Sequence, residues 1–310
     1  MALTLKNINI NNNPAEYIPS TQLLQAAEVA YALKRPLLLS GEPGTGKTEF
    51  AKYVAKTLSD KGFKSEAIIF NTKSSSAAQD LFYQYDAVSH FRSATKSTEN
   101  FIELRALGLA FVNAIGKNNS KLSNTILSKA RLNEDPIGSV VLIDEIDKAP
   151  RDFPNDLLNE IEGYEFEIKE LGEKIFLTTE QKEKVLIILT SNFEKNLPEA
   201  FLRRCVYFHI DFPDADALEK IIIKRLDLNP NKYENLRKRI RDFFIIRDNN
   251  PVQKKPSTSE ALDFIRAIDN DGLLAESLFD ESKKLIPKSK IASYLPVLLK
   301  KKEDLQLFKI

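Results

Sequence analysis

Short apolar runs alternate with amphipathic stretches over the first two thirds of the chain, and only amphipathic stretches follow. Pro36–Leu39, Ala67–Phe70 and Val185–Asn192 read as buried strands, because strands covered on both faces are continuously apolar rather than alternating. The four apolar residues that open Val140–Asp147 are too few for an ordinary helix and read the same way. Val206–Ile210 reads as a further strand. Tyr164–Ile168 and Lys174–Leu177 alternate around Gly172, the pattern of a hairpin. Helical spacing marks Thr21–Leu33, which Ser20 would cap, with Leu23, Ala27, Ala30 and Tyr31 inward. It marks Glu49–Leu58, with Phe50, Val54 and Leu58 on one face, and Asp152–Glu162, with Phe153, Leu157, Leu158 and Ile161 inward. Leu81–Val88, Phe101–Ile115 and the short Pro198–Arg204 also read as helix. Asn71–Gln79, Ala94–Asn100 and Gly116–Asp135 are polar and read as turn or loop.

The character changes at Phe212–Asp216. Strand patterns stop, and helical ones continue through Ala217–Leu226, Tyr233–Ile246 and Ser259–Ile268, with Asn249–Ser257 as a connector. The expected division is residues 1–213 and residues 214–310.

Length supports this, since 310 residues make one large or two small domains. A formal net charge of +1 gives no overall attraction to nucleic acid or to an anionic membrane. One Cys and two His exclude a disulfide framework and argue against a structural metal site. A reducing cytoplasm fits. Met1–Ile10 lacks the charged-then-apolar pattern of a signal peptide, and the longest apolar runs are strand-sized, so no membrane span is expected.

Candidate chemistry begins at Leu37–Thr48, LLLSGEPGTGKT. Gly41, Glu42, Pro43, Gly44, Thr45, Gly46, Lys47 and Thr48 match the phosphate-binding loop, with glycines, Lys and Thr at its fixed positions. Glycines let successive backbone N–H groups curl inward toward phosphate oxygens, and the following helix adds its N-terminus. Lys47 supplies charge for the terminal phosphates, and the Thr48 hydroxyl can ligate Mg²⁺. Asp144 and Glu145 stand where the Val140 strand ends, the edge at which ligands of parallel sheets sit. There Asp144 suits Mg²⁺ coordination and Glu145 polarisation of a water. Asn192 ends another strand at the same edge, where its amide can position that water or cap the next turn. The aromatic cluster Phe82, Tyr83 and Tyr85 reads as core or as a gripping surface. Arg203 and Arg204 close a short helix, where a functional role needs a neighbouring subunit.

GEPGTGKT, VVLIDEIDKA, the TSN strand end and PEAFLRRC, in that order, resemble an AAA+ ATPase. Ser74–Phe91, LIDEIDKAPRDFPNDLLNEIE, TSNFEKNLPEAFLRRC and KKPSTSEALDFIRAI are similar to the MoxR branch of that family. The resemblance runs from about residue 20 to about residue 268. It implies a P-loop NTPase of the α/β class: a three-layer αβα core with a five-stranded parallel sheet, then an α-helical lid. It also implies ATP and Mg²⁺ as cofactors and a homo-oligomeric ring, commonly a hexamer. By position, Asp144 holds the Mg²⁺ site, Glu145 is the base and Asn192 senses the water. Arg204, or else Arg203, is the finger that reaches a neighbour. A chaperone acting on a protein client, such as a von Willebrand factor A domain protein, is implied too. The hairpin around Gly172 and Ser93–Asn133 are candidate ring-face or pore elements. One position departs from the family. The lid arginine expected near Pro256–Glu260 is matched by Ser259, and Lys254, Lys255 and Arg266 are possible substitutes. Two other functions stay open: a nucleic-acid motor using Arg237–Arg241 or Lys300–Lys302, and a nucleotide-gated scaffold with little turnover.

Overall fold

The computed structural model describes residues 13–93, 97–130, 132–192, 197–249, 251–280, 282–286 and 289–308. Met1–Ile10, residues 94–96 of the Ala94–Asn100 loop, Arg131, residues 193–196 of the TSNFEKNLPEAFLRRC stretch and Asn250 of the connector lie outside the described residues. The chain divides into two compact units. One takes Pro19–Gly41 and Lys47–Ile210. The other takes the residues up to Ile18, Glu42–Gly46 and those from Asp211 onward.

The first unit is built on a parallel five-stranded sheet. Its strands are β1 (Leu37–Ser40), β2 (Ile68–Asn71), β5 (Ser139–Asp144), β8 (Val185–Ser191) and β9 (Val206–His209), in the order β2-β5-β8-β1-β9. Two antiparallel pairs stand apart: β3 (Tyr83–Tyr85) with β4 (Ile102–Leu104), and β6 (Glu165–Ile168) with β7 (Glu173–Phe176), the hairpin expected around Gly172. The helices are α1 (Thr21–Leu33), α2 (Lys47–Leu58), α3 (Ala87–Arg92), α4 (Ala106–Ile115), α5 (Asn124–Lys129), α6 (Phe153–Gly163), α7 (Thr179–Lys182) and α8 (Glu199–Leu202). They complete a three-layer αβα core. Leu38, Val141, Ile143, Ile187 and Leu189 of the sheet join Phe82, Leu107, Phe111, Leu157 and Ile161 in one apolar cluster. Ser20 caps α1 as expected, accepting the Leu23 N–H at 3.1 Å.

Five local readings change. Leu81–Val88 is not a helix: Tyr83 pairs with Leu104, and Phe82 and Tyr83 are buried core residues, so long-range pairing overrides local spacing. Phe82 packs on Phe111 and Phe166, which decides for core among the two readings of the aromatic cluster. Phe101–Ile115 splits into β4 and α4, with Ile102 and Leu104 on the strand. Gly116–Asp135 carries α5, whose Ile126 and Leu127 are buried. β2 is an edge strand with Ile69 exposed, not a strand covered on both faces. Tyr31 is exposed and meets Phe63 edge-on instead of pointing inward.

The second unit is helical from Asp211 onward: α9 (Ala215–Leu226), α10 (Tyr233–Arg247), α11 (Thr258–Asn270), α12 (Leu295–Leu298) and α13 (Lys302–Leu307). Asp214 caps α9 by accepting the Ala217 N–H at 2.8 Å. Leu218, Ile222, Leu236, Ile240, Phe243, Phe264, Ile265 and Ile268 form its core at the i, i+3, i+4 spacing read from the sequence. Among the described residues no helix is long and apolar enough to cross a membrane.

Gly108 shows how tightly α4 meets the backbone just before β3. A Cβ there would lie 2.0 Å from the Phe82 carbonyl oxygen. That oxygen accepts the Arg105 N–H at 2.8 Å and cannot retreat freely. Gly108→Ala is expected to lower the unfolding free energy by about 1–3 kcal/mol, the usual cost of overpacking. A denaturant midpoint equal to that of the unsubstituted chain would remove this constraint.

Candidate functional site

The site residues are set out by the sheet. All five strands run parallel, so their carboxyl ends share one edge. β1 lies between β8 and β9, and the chain leaves it to build β2 at the far side of the sheet, a change of direction that opens a crevice in such folds. Ser40 ends β1, Asp144 ends β5 and Ser191 ends β8.

The loop Gly41–Gly46 leaves β1 and feeds α2. Gly44 and Gly46 have φ of 79° and 91°, a region that side chains with a Cβ seldom occupy. Space forbids a Cβ as well. At Gly46 it would come 2.9 Å from the Tyr17 ring, and at Gly44 it would come 2.7 Å from Ser257 Cβ. Thr45 closes the turn, its N–H and hydroxyl both donating to the Glu42 carbonyl, at 3.3 and 2.9 Å. Lys47 is buried, and its Nζ donates to the Gly41 carbonyl at 2.8 Å. The ammonium is thereby turned back to the residue that follows β1.

Thr48, in the first turn of α2, donates its hydroxyl to Asp144 Oδ2 at 3.0 Å and lies 3.3 Å from Oδ1. Thr190, buried near the end of β8, donates its hydroxyl to Asp144 Oδ1 and accepts the Glu145 N–H at 2.8 Å. Glu145 adopts φ 56° and ψ 50°, a left-handed conformation that costs a non-glycine residue about 1–3 kcal/mol and persists only where surroundings impose it. The bond to Thr190 is one such constraint. Glu145 Oε2 pairs with Lys148, three residues on, while Oε1 lies 3.4 Å from the Asn192 Nδ2 donor. Asn192 is anchored in turn, its N–H lying 3.4 Å from Oδ1 of the buried Asp147.

These donors fit a nucleotide with Mg²⁺. One hydroxyl and one carboxylate in contact are what Mg²⁺ takes from a protein when phosphates and waters supply its remaining oxygens. Among the described residues no cluster of three or more His, Cys, Asp or Glu could hold a metal by itself. The Cys205 thiol is pushed up to about 12 by burial, with Arg35 pulling the other way, so it stays protonated at neutral pH and is a poor nucleophile.

The model of the ATPase family associated with various cellular activities (AAA) matches residues 37–214, more than half of the chain. The chain belongs to this AAA family. A comparison with curated proteins finds no match. The family binds nucleotide, usually with Mg²⁺, and the AAA match spans β1, the glycine loop, the Asp144 strand and Asn192.

Within this AAA domain the structure brings Lys47 back to Gly41, Thr48 to Asp144, and Asn192 to Glu145. Arg203 and Arg204 stand elsewhere. Arg203 is largely exposed and pairs with Glu199, and Arg204 pairs with Glu162 at 2.5 Å. Lys254 and Arg266 lie beside local carboxylates, Glu260 and Asp263, at 3.5 and 3.6 Å. Three residues here escaped the sequence reading. Lys148 was visible as the i+3 partner of Glu145. Thr190 was visible only as a hydroxyl near the end of an apolar strand, and its level with Asp144 comes from the β5–β8 pairing. Arg247, which bonds Glu42, had no local signal. Thr190→Val keeps the shape and removes both hydrogen bonds, leaving the Glu145 N–H without its acceptor. A loss of about 1–3 kcal/mol in unfolding free energy is expected, with a smaller loss for Thr190→Ser. Equal midpoints for Thr190→Val and the parent chain would sink the assigned role.

Proposed function

We propose that this AAA-family chain is an ATP-hydrolysing protein of the MoxR type that works as a homo-oligomeric ring and remodels a protein partner. The observation that carries the hydrolytic reading is the meeting of two pairs at one sheet edge: Thr48 with Asp144, and Glu145 with Asn192. ATP is the substrate whose phosphoanhydride is cleaved, and Mg²⁺ when bound would supply positive charge against its phosphates. The backbone N–H groups of Gly41–Gly46 and the start of α2 cradle the phosphates. Lys47 moves its ammonium from the Gly41 carbonyl to the terminal phosphates. Thr48 and Asp144 would hold the metal. Glu145 accepts a proton from the attacking water at its carboxylate, and the Asn192 amide orients that water. Thr190 keeps Asp144 and Glu145 in place.

The MoxR branch, the chaperone role and a client such as a von Willebrand factor A domain protein are supported by the ordered sequence resemblance. So is the assignment of residues 1–213 as nucleotide-binding domain and 214–310 as lid. A hexameric ring is supported in the same way, and also by Arg203 and Arg204, whose present partners Glu199 and Glu162 are themselves substantially exposed. Exposed ion pairs are worth about 0–1 kcal/mol, so exchanging one for a neighbour's phosphate costs little. A net charge of +1 weighs against a nucleic-acid motor, which needs clustered Lys and Arg. One Cys, and no segment suited to span a membrane among the described residues, favour a cytoplasmic setting.

Two measurements test this. Glu145→Gln is expected to bind ATP as the parent does and to turn over about 10²-fold or more slowly, within the usual reach of a general base. Full turnover by that variant would remove Glu145 from the mechanism. Mixing Glu145→Gln with an Arg204→Ala variant, itself slow, is expected to restore part of the turnover. In mixed rings the first supplies an arginine to the intact site of the second. No recovery in mixtures of either arginine variant would argue against a shared site, and steady binding without turnover in the parent would favour the nucleotide-gated scaffold.

A further inference from the structure

The geometry points to Arg247 as a positioning residue that fixes the tip of the phosphate loop through Glu42, acting on the loop and not on the phosphate. This inference rests on the nucleotide-binding reading above.

Arg247 is the last residue of α10, and its side chain is 6% exposed. A buried guanidinium is costly unless its charge and its N–H groups are matched. Three partners match it. Nη2 bonds the Glu42 carboxylate, Nη1 bonds the Pro256 carbonyl, and the guanidinium carbon lies 3.4 Å from the centre of the Phe212 ring. All of these residues belong to one compact unit, which includes Glu42–Gly46. Glu42 is the first variable residue of the loop, and half of its side chain remains exposed.

Two residues further on the loop is held again. Ser257 caps α11 in a reciprocal box with Glu260: its N–H bonds Glu260 Oε2 at 2.7 Å, and its Oγ accepts the Glu260 N–H at 3.3 Å. A Cβ on Gly44 would meet Ser257 Cβ at 2.7 Å and Ser259 Oγ at 3.4 Å. The Pro256–Ser257 segment therefore touches both holds, receiving Arg247 on its carbonyl and packing on Gly44. Pro43, with its fixed φ, joins the two held residues. A fork-shaped guanidinium bridging carboxylate and carbonyl fixes direction as well as distance, which an ammonium does not. The loop amides between Glu42 and Gly46 are thus arranged before a phosphate arrives. Ser259 stands where the resemblance expects a phosphate-contacting arginine, and Arg247 reaches the loop by another route.

The loop serves every phosphate it cradles, so its loss of order affects ADP and ATP alike. A residue touching the γ-phosphate would affect ATP alone. The test uses the full chain with Mg²⁺ and fluorescent ADP and ATP analogues as probes, with Glu42→Gln, Arg247→Lys and the double variant compared to the parent. Each single substitution is expected to weaken both nucleotides equally, by about tenfold, the scale of a charge-assisted hydrogen bond. The double variant is expected to bind no worse than either single one, because the two side chains act as one unit. In steady-state hydrolysis KM is expected to rise with kcat held within about twofold, the signature of lost uniform binding. Melting curves without nucleotide separate this from unfolding. Should Arg247→Lys fail to fold, Glu42→Gln still decides, since it alters a half-exposed side chain. Unchanged affinity in a folded variant, weakening confined to ATP, or fully additive losses would each overturn the inference. If the parent itself binds neither nucleotide, the nucleotide-binding reading falls and this one with it. If the parent binds and Glu42→Gln matches it, only the role of Arg247 falls.

Discussion

A hydroxyl in the first turn of α2 and a carboxylate at the end of β5 share a hydrogen bond, and the edge of the sheet is arranged around it. The register explains how 96 residues of separation close to 3.0 Å. β5 pairs with β8 so that Ile143 is level with Leu189, which puts Asp144 level with Thr190. β1 pairs with β8 so that Leu39 is level with the same Thr190, and Ser40 with Ser191. The glycine loop then leaves β1 at the height where Asp144 emerges. A slip of one residue in either pairing would turn Asp144 or Thr190 to the other face and dissolve the cluster. The apolar residues of β5, β8 and β1 are buried on both faces, so such a slip has no gain to offset it.

Thr190 shows how this register becomes chemistry. Its single hydroxyl uses the donor on Asp144 and an acceptor lone pair on the Glu145 N–H, so two adjacent acidic residues are oriented by one side chain. The left-handed backbone of Glu145 turns its side chain away from the strand direction, toward Asn192 and Lys148. A residue following a straight β path would send its carboxylate to the sheet face. The strain at Glu145 is thus the means by which one strand end presents two carboxylates with different neighbours: one to a hydroxyl pair, the other to an amide and an ammonium.

Much of this was legible from the chain alone, and for a physical reason. β1, β5 and β8 are continuous apolar runs, α9 and α11 have clear helical periodicity, and both signals arise from burial itself. Phosphate chemistry is similarly local, since Gly41–Thr48 must be contiguous to curl a backbone. The failures have separate causes. β3 and β4 are three residues each, and Tyr83 owes its strand conformation to Leu104, which no local window contains. In α5, Ile126 and Leu127 sit inside a polar stretch whose average conceals them. β2 is as apolar a run as the strands inside the sheet, and only the strand order reveals that one side of it is open.

Arg247 is the extreme of that limit. It stands 205 residues from Glu42, between the Tyr233–Ile246 helix and the Asn249–Ser257 connector read from the sequence. The apolar run Phe243–Ile246 before it announces a buried helix face, but not that the guanidinium joins it, because that burial is produced by Phe212, Pro256 and Glu42 together. A guanidinium buried by one partner would be a liability; buried by a ring face, a carbonyl and a carboxylate from three separate segments, it is compensated only when all three are in place. The same condition that makes the residue invisible to a motif makes it responsive to the arrangement of the segments it joins. The loop tip grouped with Asp211 onward, not with the strand it leaves, is the structural counterpart of that dependence. A glycine loop of this kind is therefore specified twice: once by its own residues, which permit the curl, and once by distant ones, which select it.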